Sequence, residues 1–220
     1  MNPNKNINIL YEDNHLIIVN KPGALLTQCS GKDESNMEDI LREWIKITKS
    51  KKGNVFLHAC HRIDKQVSGI VMFSKTSKSL KRLNEEKYRL KMKKIYHALI
   101  EGNNIKSSGR LENYIKHDSF KAVTCSRDDK DAKKATLDYK VIEFKNNKSK
   151  LEINLITGRY HQIRVQLSNI GFPVYGDKKY GSNKKLSSIA LHHRNFIFTH
   201  PISNKEIDLI APYPSNKYWH

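Results

Sequence analysis

The sequence has few cysteines, comparatively few acidic residues and no long apolar run. Its three cysteines, Cys29, Cys60 and Cys125, are far apart and odd in number, which excludes a disulfide framework; no C-x-x-C pair is present to hold zinc. Nowhere do about eighteen apolar residues run together to span a bilayer, and the first ten residues lack the apolar core of a signal peptide. These absences predict a cytoplasmic protein with no membrane association.

The shortage of acidic residues leaves a large positive charge. Forty lysines and arginines stand against 22 acidic residues, and the formal net charge is +18 over 220 residues. Such a charge attracts polyanions but carries no information about the fold. Nucleic acid is the partner that this charge favours. An anionic membrane surface is the alternative, but the sequence has no amphipathic helix with large apolar anchors.

Short apolar runs typical of strands alternate with a few helical patterns. We find no internal repeat and no flexible linker, so a single domain over residues 1–220 is the simplest prediction. The runs predicted as strands are residues 7–11, 16–19, 55–57, 70–73, 95–100, 137–144, 151–156, 189–191, 195–198 and 206–210. Helices are predicted at residues 38–47, 77–90 and 161–170, the first with Ser35 as N-cap and Glu38 as its capping-box partner. Residues 103–135 are polar, and we predict loops at 106–109 and 126–134.

One polar segment, residues 61–69, leads directly into the apolar run 70–73. It holds a single carboxylate, Asp64, and ends at Gly69, where glycine makes a tight backbone path easy. The run is short and rich in β-branched residues, so it predicts a buried strand. A loop held against a rigid sheet is a common position for binding and catalytic groups. The alternative is that Asp64 only caps a turn or pairs with Arg62 at the surface.

Five blocks of the chain, in this order, resemble the signature blocks of the RluA-type pseudouridine synthases. They are similar to the family patterns N-K-P-x-G, H-R-L-D followed by S-G, K-x-Y, T-G-R-x-H-Q-I-R and G-D-x-x-Y-G, and they lie at residues 20–23, 61–69, 94–96, 157–164 and 176–181. The resemblance extends from about Leu10 to Pro212. The chain departs from the family at Ile63, at residues 66–67, at Gln166 and at Phe172, and these departures bear on substrate contacts.

The resemblance implies a mixed α/β (α+β) pseudouridine synthase fold with a long, mainly antiparallel, bent sheet and a central active cleft. It implies isomerisation of uridine to pseudouridine within an RNA chain, without a cofactor or a metal. We expect ribosomal RNA as the substrate, with transfer RNA as the alternative, and a monomer with no obligate protein partner. The S4-like RNA-binding module of many relatives is not found in this sequence, so we expect the catalytic domain to supply the RNA affinity.

Three residues match the family's catalytic positions. Asp64 matches the catalytic carboxylate, which acts either as a nucleophile or as a base at the ribose. A buried carboxylate needs a cationic partner to stay ionised, and Arg164 matches that partner, with a planar fork suited to a bidentate ion pair. Tyr96 matches the active-site tyrosine, whose ring can stack on uracil and whose hydroxyl can relay a proton; core packing is the alternative for Tyr96.

Four further residues are expected to contact the RNA. The resemblance implies that Ile163 forms part of an apolar wall and that Arg62 enters the RNA stack when the target nucleotide flips out. Lys21 and Arg159, together with the basic region around residues 78–94, are predicted phosphate contacts. Asp177 lies between glycines, and we predict a turn residue there rather than a catalytic one.

Two other functions fit parts of the sequence. A non-catalytic RNA-binding protein of the same fold would carry the same charge, but it would not need Asp64, Tyr96 and Arg164 together. A metal-dependent RNA or nucleotide hydrolase would need several converging carboxylates or histidines, whereas the sequence offers one clear carboxylate in a basic setting. The histidines and cysteine of residues 58–61 contain no repeated ligand pair, so we expect no zinc site.

Overall fold

The computed structural model describes residues 7–31 and 34–219, which divide into two compact units. The first unit comprises the chain up to Met92 together with Arg194–Pro214, and the second comprises Lys93–His193 and the segment from Ser215 onward. The single domain over residues 1–220 stays a prediction. Within the described residues, no helix combines the length and the apolar character needed to cross a membrane.

The first unit contains a sheet with strand order β1-β2-β4-β10, in which β3 pairs with β4 and β11 pairs with β10. The first three residues of β10 belong to the second unit. Its strands are β1 (Ile9–Glu12), β2 (Leu16–Lys21), β3 (His58–Ala59), β4 (Ser68–Ser74), β10 (Leu191–Thr199) and β11 (Glu206–Ile210).

The centre of this sheet is the antiparallel pair β2 and β4, in register from Leu16 opposite Ser74 to Lys21 opposite Gly69. The apolar runs 16–19 and 70–73 are fully buried, which confirms both predicted strands. Burial of both faces explains why these runs are continuously apolar rather than alternating. The sheet therefore places the loop before β4 on a rigid support.

The helices of the first unit are α1 (Met37–Thr48), α2 (Ser77–Asn84) and α3 (Glu86–Arg89). The prediction of Ser35 as N-cap was wrong by one residue: Asn36 caps α1 by accepting from the Asp39 amide at 3.0 Å. The continuous helix predicted over 77–90 was also wrong, because Glu85 is extended and separates α2 from α3. The strand predicted at 55–57 is absent from that segment, and pairing begins at β3.

The second unit contains an antiparallel sheet with strand order β5-β9-β8-β6-β7. Its elements are β5 (Lys93–Glu101), β6 (Ser108–Asp118), β7 (Lys121–Cys125), β8 (Lys133–Lys145), β9 (Lys148–Leu155) and helix α4 (Gln162–Asn169). The strands predicted at 137–144 and 151–156 are confirmed as β8 and β9, and they pair as an antiparallel hairpin. Its turn residues, Asn146 and Asn147, have φ angles of 52° and 54°, as a two-residue hairpin turn favours.

The polar segment 103–135 contains the whole hairpin β6–β7, which was not predicted. The loop predicted at 126–134 is confirmed over residues 126–132, and the loop predicted at 106–109 is wrong for residues 108–109, where β6 begins. The strands of this hairpin expose many of their side chains, and Ile115 and Ala122 are among the few that are buried. These two pack with Val165 of α4 and Tyr180 in a small core. The mixed α and β architecture with mainly antiparallel pairing is confirmed, and the central cleft stays a prediction.

Candidate active-site residues

The loop that carries Asp64 is fixed by hydrogen bonds on both sides of that residue. The Thr27 hydroxyl donates to the Ile63 carbonyl at 3.0 Å and accepts from the Ile63 amide at 3.3 Å. The Val67 amide donates to the Asp64 carbonyl at 3.1 Å. Asp64 is half-buried, whereas Arg62 is exposed. The backbone therefore presents the carboxylate from a defined position and leaves Arg62 on the surface.

The start of this loop is attached to the buried strand β4. The Met72 amide donates to His61 Nε2 at 3.3 Å, and the His61 ring packs edge-on against Phe196 with centroids 5.2 Å apart. The Cys60 amide donates to the Met72 carbonyl at 2.9 Å. Burial raises the pKa of the Cys60 thiol to about 11, so Cys60 is a packing residue rather than a reactive thiolate.

Lys21 lies beneath the loop rather than on the surface. Its side chain is 0% exposed, and its ammonium group donates to the carbonyls of Pro22 at 2.9 Å, Leu25 at 2.6 Å and Lys65 at 3.5 Å. The predicted phosphate contact of Lys21 is therefore wrong, because RNA cannot reach a fully buried ammonium group. Lys21 instead ties the end of β2 to the residue after Asp64, and its charge is attracted by the Asp64 carboxylate.

The burial of Lys21 predicts a pH dependence of stability. Desolvation lowers its pKa from 10.5 to about 7, and the Asp64 charge opposes that shift. Between about pH 7 and 10.5 the unfolded chain binds more protons at Lys21 than the folded chain, so folding stability rises with pH in this window. The rise is at most about 1.4 kcal/mol per pH unit.

We expect Lys21→Met to lack this rise. The free energy of unfolding in urea, measured at pH 7, 8 and 9, should increase less steeply for the variant than for the unchanged chain. Cys60, whose pKa burial raises to about 11, is present in both proteins, so its effect on the pH dependence is common to them and the difference between the slopes reports on Lys21. Parallel slopes for the two proteins would contradict the prediction, whatever the variant's absolute stability.

In the second unit, Arg164 is held in a buried bidentate ion pair with Asp177. Arg164 Nε lies 2.6 Å from Asp177 Oδ2, and Nη2 lies 3.0 Å from Oδ1. The two residues are 3% and 1% exposed. Such a fork-to-fork arrangement fixes the plane of the guanidinium as well as its charge. Asp177 also has the turn role predicted for it, since its carbonyl accepts from the amides of Tyr180 and Ser182.

Tyr180 supports the same guanidinium from another side. The Arg164 Cζ atom lies 4.9 Å from the centroid of the Tyr180 ring, a distance suited to a cation–π contact. The Tyr180 hydroxyl lies 2.8 Å from His161 Nδ1 and accepts from the Ala122 amide at 2.8 Å. The block at residues 176–181 thus supplies both a carboxylate and an aromatic ring to Arg164.

His161 begins the turn into α4 in the left-handed conformation, with φ of 52°. Burial lowers its pKa to about 3, and the positive charge of Arg164 contributes to that shift. The imidazole is therefore neutral at pH 7 and adds no charge beside Arg164. Its ring packs edge-on against Tyr180, which is the ring that the guanidinium contacts.

The remaining predicted residues of the second unit take different positions. Tyr96 is buried on β5 and stacks on His193, with centroids 4.5 Å apart and ring planes 13° from parallel. Ile163 is buried in α4. Arg159 is exposed, and its Nε donates to the Lys134 carbonyl at 3.0 Å. Because Arg159 is exposed, it is suited to an RNA contact. The stacking of Tyr96 on His193 is what core packing, the alternative role for Tyr96, requires.

The predicted residues thus belong to two units. Asp64, Arg62 and Lys21 lie in the first, and the second contains Tyr96, Arg159, Ile163 and Arg164. The ion pair between Asp64 and Arg164 stays a prediction. Sequence reasoning missed the pairing of Asp177 with Arg164; the signal for it was the block at 176–181, in which an acid and a tyrosine lie three residues apart.

Comparison with known proteins shows that the chain belongs to one family. A profile of the RNA pseudouridylate synthase family matches residues 15–169. The chain is 31% identical over 213 residues to the ribosomal large subunit pseudouridine synthase C of Rickettsia bellii, covering 94% of this chain and 68% of the relative. It is 31% identical over 214 residues to an uncharacterised RNA pseudouridine synthase of Bacillus subtilis, covering 96% and 70%.

A solved structure shows the same fold. The human RNA pseudouridylate synthase domain containing 4 superimposes with a TM-score of 0.77 at 25% identity, covering 94% of this chain and 89% of the human chain. The matched region 15–169 contains Asp64, Tyr96 and Arg164.

Proposed function

The chain belongs to the RNA pseudouridylate synthase family and is an RNA pseudouridine synthase, and we propose that it acts on large-subunit ribosomal RNA with Asp64 as its catalytic carboxylate. The match of the family profile over residues 15–169 carries this proposal, because that region includes Asp64, Tyr96 and Arg164. The choice of RNA rests on relatives from Rickettsia and Buchnera, which are named ribosomal large subunit pseudouridine synthases.

The reaction is an isomerisation, so the product has the same atoms as the substrate. The bond between C1′ of the ribose and N1 of uracil breaks, the base rotates, and a bond forms between C1′ and C5. The proton on C5 is lost, and N1 gains a proton. Asp64 acts at the ribose, either as a nucleophile at C1′ or as a base at C2′, and both routes need an ionised carboxylate.

Arg164 is the proposed electrostatic partner of that carboxylate. Its guanidinium is already oriented by Asp177 and Tyr180, so it need not reorganise when the substrate binds. His161 is neutral at pH 7, so it adds no second positive charge near Arg164. Asp177 is thus proposed to position Arg164 and does not itself contact the ribose.

The other proposed roles concern the RNA. A base stacked in a helix cannot rotate about its glycosidic bond, so the target uridine must flip out. The exposed Arg62 is proposed to fill the vacated position in the stack, and the exposed Arg159 to bind a backbone phosphate. Tyr96 and Ile163 are proposed to form the apolar wall around the uracil.

Tritium release tests the proposed activity. Uridine labelled at C5 loses its label when C5 becomes the glycosidic carbon, so release counts turnovers directly. We expect release from large-subunit ribosomal RNA, free or in intact subunits, taken from cells that lack the protein. With the free RNA as substrate, we expect EDTA to leave the rate unchanged. Release from transfer RNA alone would contradict the proposed substrate. Binding without release from any RNA or subunit would contradict catalysis by this chain.

A further inference from the structure

The second unit contains a concave cationic surface that the proposed active-site residues do not use. It is a pocket of about 120 Å³ lined by Lys145, Lys148, Lys150 and Lys217, with Glu143 as its acid and Trp219 among its apolar lining residues. We call it the lysine pocket. Four ammonium groups and one carboxylate give its lining a formal charge of +3, so it is a site of positive potential on a chain that is already strongly basic.

Within the described residues, three of the four lysines form no ion pair, although the Lys145 charge also acts on the nearby Glu143 carboxylate. Glu143 forms an ion pair with Lys150. Among the residues that the structure describes, no carboxylate lies within 4 Å of the ammonium groups of Lys145, Lys148 or Lys217. Lys148 Nζ donates to the Asn146 carbonyl at 3.4 Å and lies 4.9 Å from the centroid of the Tyr175 ring. The pocket therefore has more positive charge than its own carboxylate can offset.

The backbone brings these charges together in an arrangement that disfavours folding. Lys145 and Lys148 are direct cross-strand partners on β8 and β9, and like charges directly opposite each other destabilise a sheet. The turn between them, Asn146–Asn147, has both residues at positive φ. This tight two-residue turn keeps Lys145 and Lys148 opposite each other. Lys217 is carried by the 3₁₀ turn Lys217–Trp219, whose Trp219 is buried.

We propose that the lysine pocket binds a backbone phosphate of the RNA substrate, outside the residues proposed for catalysis. A phosphate would neutralise the charge that Glu143 leaves unpaired and would relieve the repulsion between Lys145 and Lys148. Ammonium groups are point charges without the planar fork of arginine. A contact between them and a backbone phosphate therefore does not depend on the RNA sequence; it adds binding affinity and orients the RNA on the protein. The inference rests on the proposed function for the identity of the polyanion.

Salt-dependent RNA binding tests the lysine pocket. The variant carries Lys145→Gln, Lys148→Gln and Lys217→Gln, and its control carries Lys46→Gln, Lys51→Gln and Lys52→Gln at exposed positions of the first unit. Both variants lose three charges. The probe is a labelled stem-loop RNA with an unpaired uridine, titrated over a range of salt. We expect the pocket variant to bind about tenfold more weakly and its salt slope to fall by about 1, as loss of a phosphate contact predicts.

The control variant is expected to stay within about threefold of the unchanged chain, with the same salt slope. Equal losses of RNA affinity in the two variants would overturn the proposed phosphate site, because RNA binding would then depend on the net charge of the protein and not on the lysine pocket. Inorganic phosphate is titrated separately by following tryptophan fluorescence in a chain with Trp44→Phe, which leaves Trp219 as the reporter. If phosphate saturates a site in that chain while RNA binding is unaltered in the pocket variant, the pocket takes a small anion and the RNA assignment is overturned.

The stability of the pocket variant and the activity of the unchanged chain are measured separately from RNA binding. Removing lysines that repel each other should keep the melting temperature of the pocket variant or raise it, so loss of RNA binding is not explained by unfolding. Tritium release by the unchanged chain reports on the proposed function alone. Release together with identical salt slopes would overturn the lysine pocket and leave the proposed function intact.

Discussion

Asp64→Asn is expected to reduce tritium release from large-subunit ribosomal RNA by about a thousandfold or more, because the amide can neither attack the ribose nor accept its proton. The substitution keeps the size of the side chain, and Asp64 is half-buried in a loop whose backbone is fixed by Thr27 and Val67. We therefore expect RNA binding to change by no more than about threefold. Release is measured under single-turnover conditions, so that product release does not mask the chemical step.

Asp118→Asn is the matched control. It removes one carboxylate from an exposed position at the end of β6, and it should leave the rate of release unchanged. If Asp64→Asn retained a tenth or more of the rate, Asp64 would not be the catalytic carboxylate. If Asp64→Asn lowered release and RNA binding in the same proportion, Asp64 would serve binding rather than chemistry.

The sequence was sufficient to predict the support of Asp64 because that support is built from local patterns. The continuous apolar run 70–73 could be satisfied only by a strand covered on both faces, and β4 is that strand. The apolar runs 7–11 and 16–19 likewise predicted β1 and β2. Where burial decides the structure, the pattern of apolar residues reports it directly.

The hairpin β6–β7 and the position of Lys21 could not be predicted in the same way. The hairpin exposes much of its surface, so its sequence is as polar as that of a loop. It therefore lacks the pattern of apolar residues from which strands are predicted. Lys21 is buried because backbone carbonyls from Pro22, Leu25 and Lys65 surround its ammonium group. Carbonyl groups are present at every residue, and no sequence pattern shows where three of them converge.

The ion pair of Arg164 and Asp177 was also not predicted, although both residues lie in blocks that resemble the family and the block at 176–181 carried the signal of an acid and a tyrosine three residues apart. Asp177 has glycine as its preceding neighbour, and in sequence it reads as a turn residue. Its carboxylate becomes a partner of Arg164 only because the segment after α4 folds back against that helix. The family resemblance located the two blocks but gave no contact between them.

Asp177→Asn is expected to lower the free energy of unfolding by about 3–5 kcal/mol, because it leaves the Arg164 guanidinium buried beside a neutral amide. The chain provides a matched control in Asp138→Asn. Arg110 Nε and Nη2 lie 2.6 and 2.9 Å from the two Asp138 oxygens, nearly the same geometry, but the Arg110 side chain is 61% exposed. The loss for Asp138→Asn should therefore be about 0–1 kcal/mol. Urea denaturation of both variants at pH 7 measures the difference.

A second variant separates the structural role of this pair from its role in catalysis. Replacing both partners by apolar residues, as Arg164→Met with Asp177→Leu, removes the uncompensated charge, and we expect it to recover most of the stability lost by Asp177→Asn. Activity should not recover, because Arg164 is the proposed partner of the ionised Asp64. Asp177→Asn alone should reduce the single-turnover rate by about a hundredfold, since a misplaced guanidinium no longer meets the carboxylate in the required geometry. A double variant that regained both stability and activity would show that Arg164 and Asp177 only hold the second unit together. Stability without activity is the outcome that the buried, bidentate geometry of this pair predicts for a positioning role.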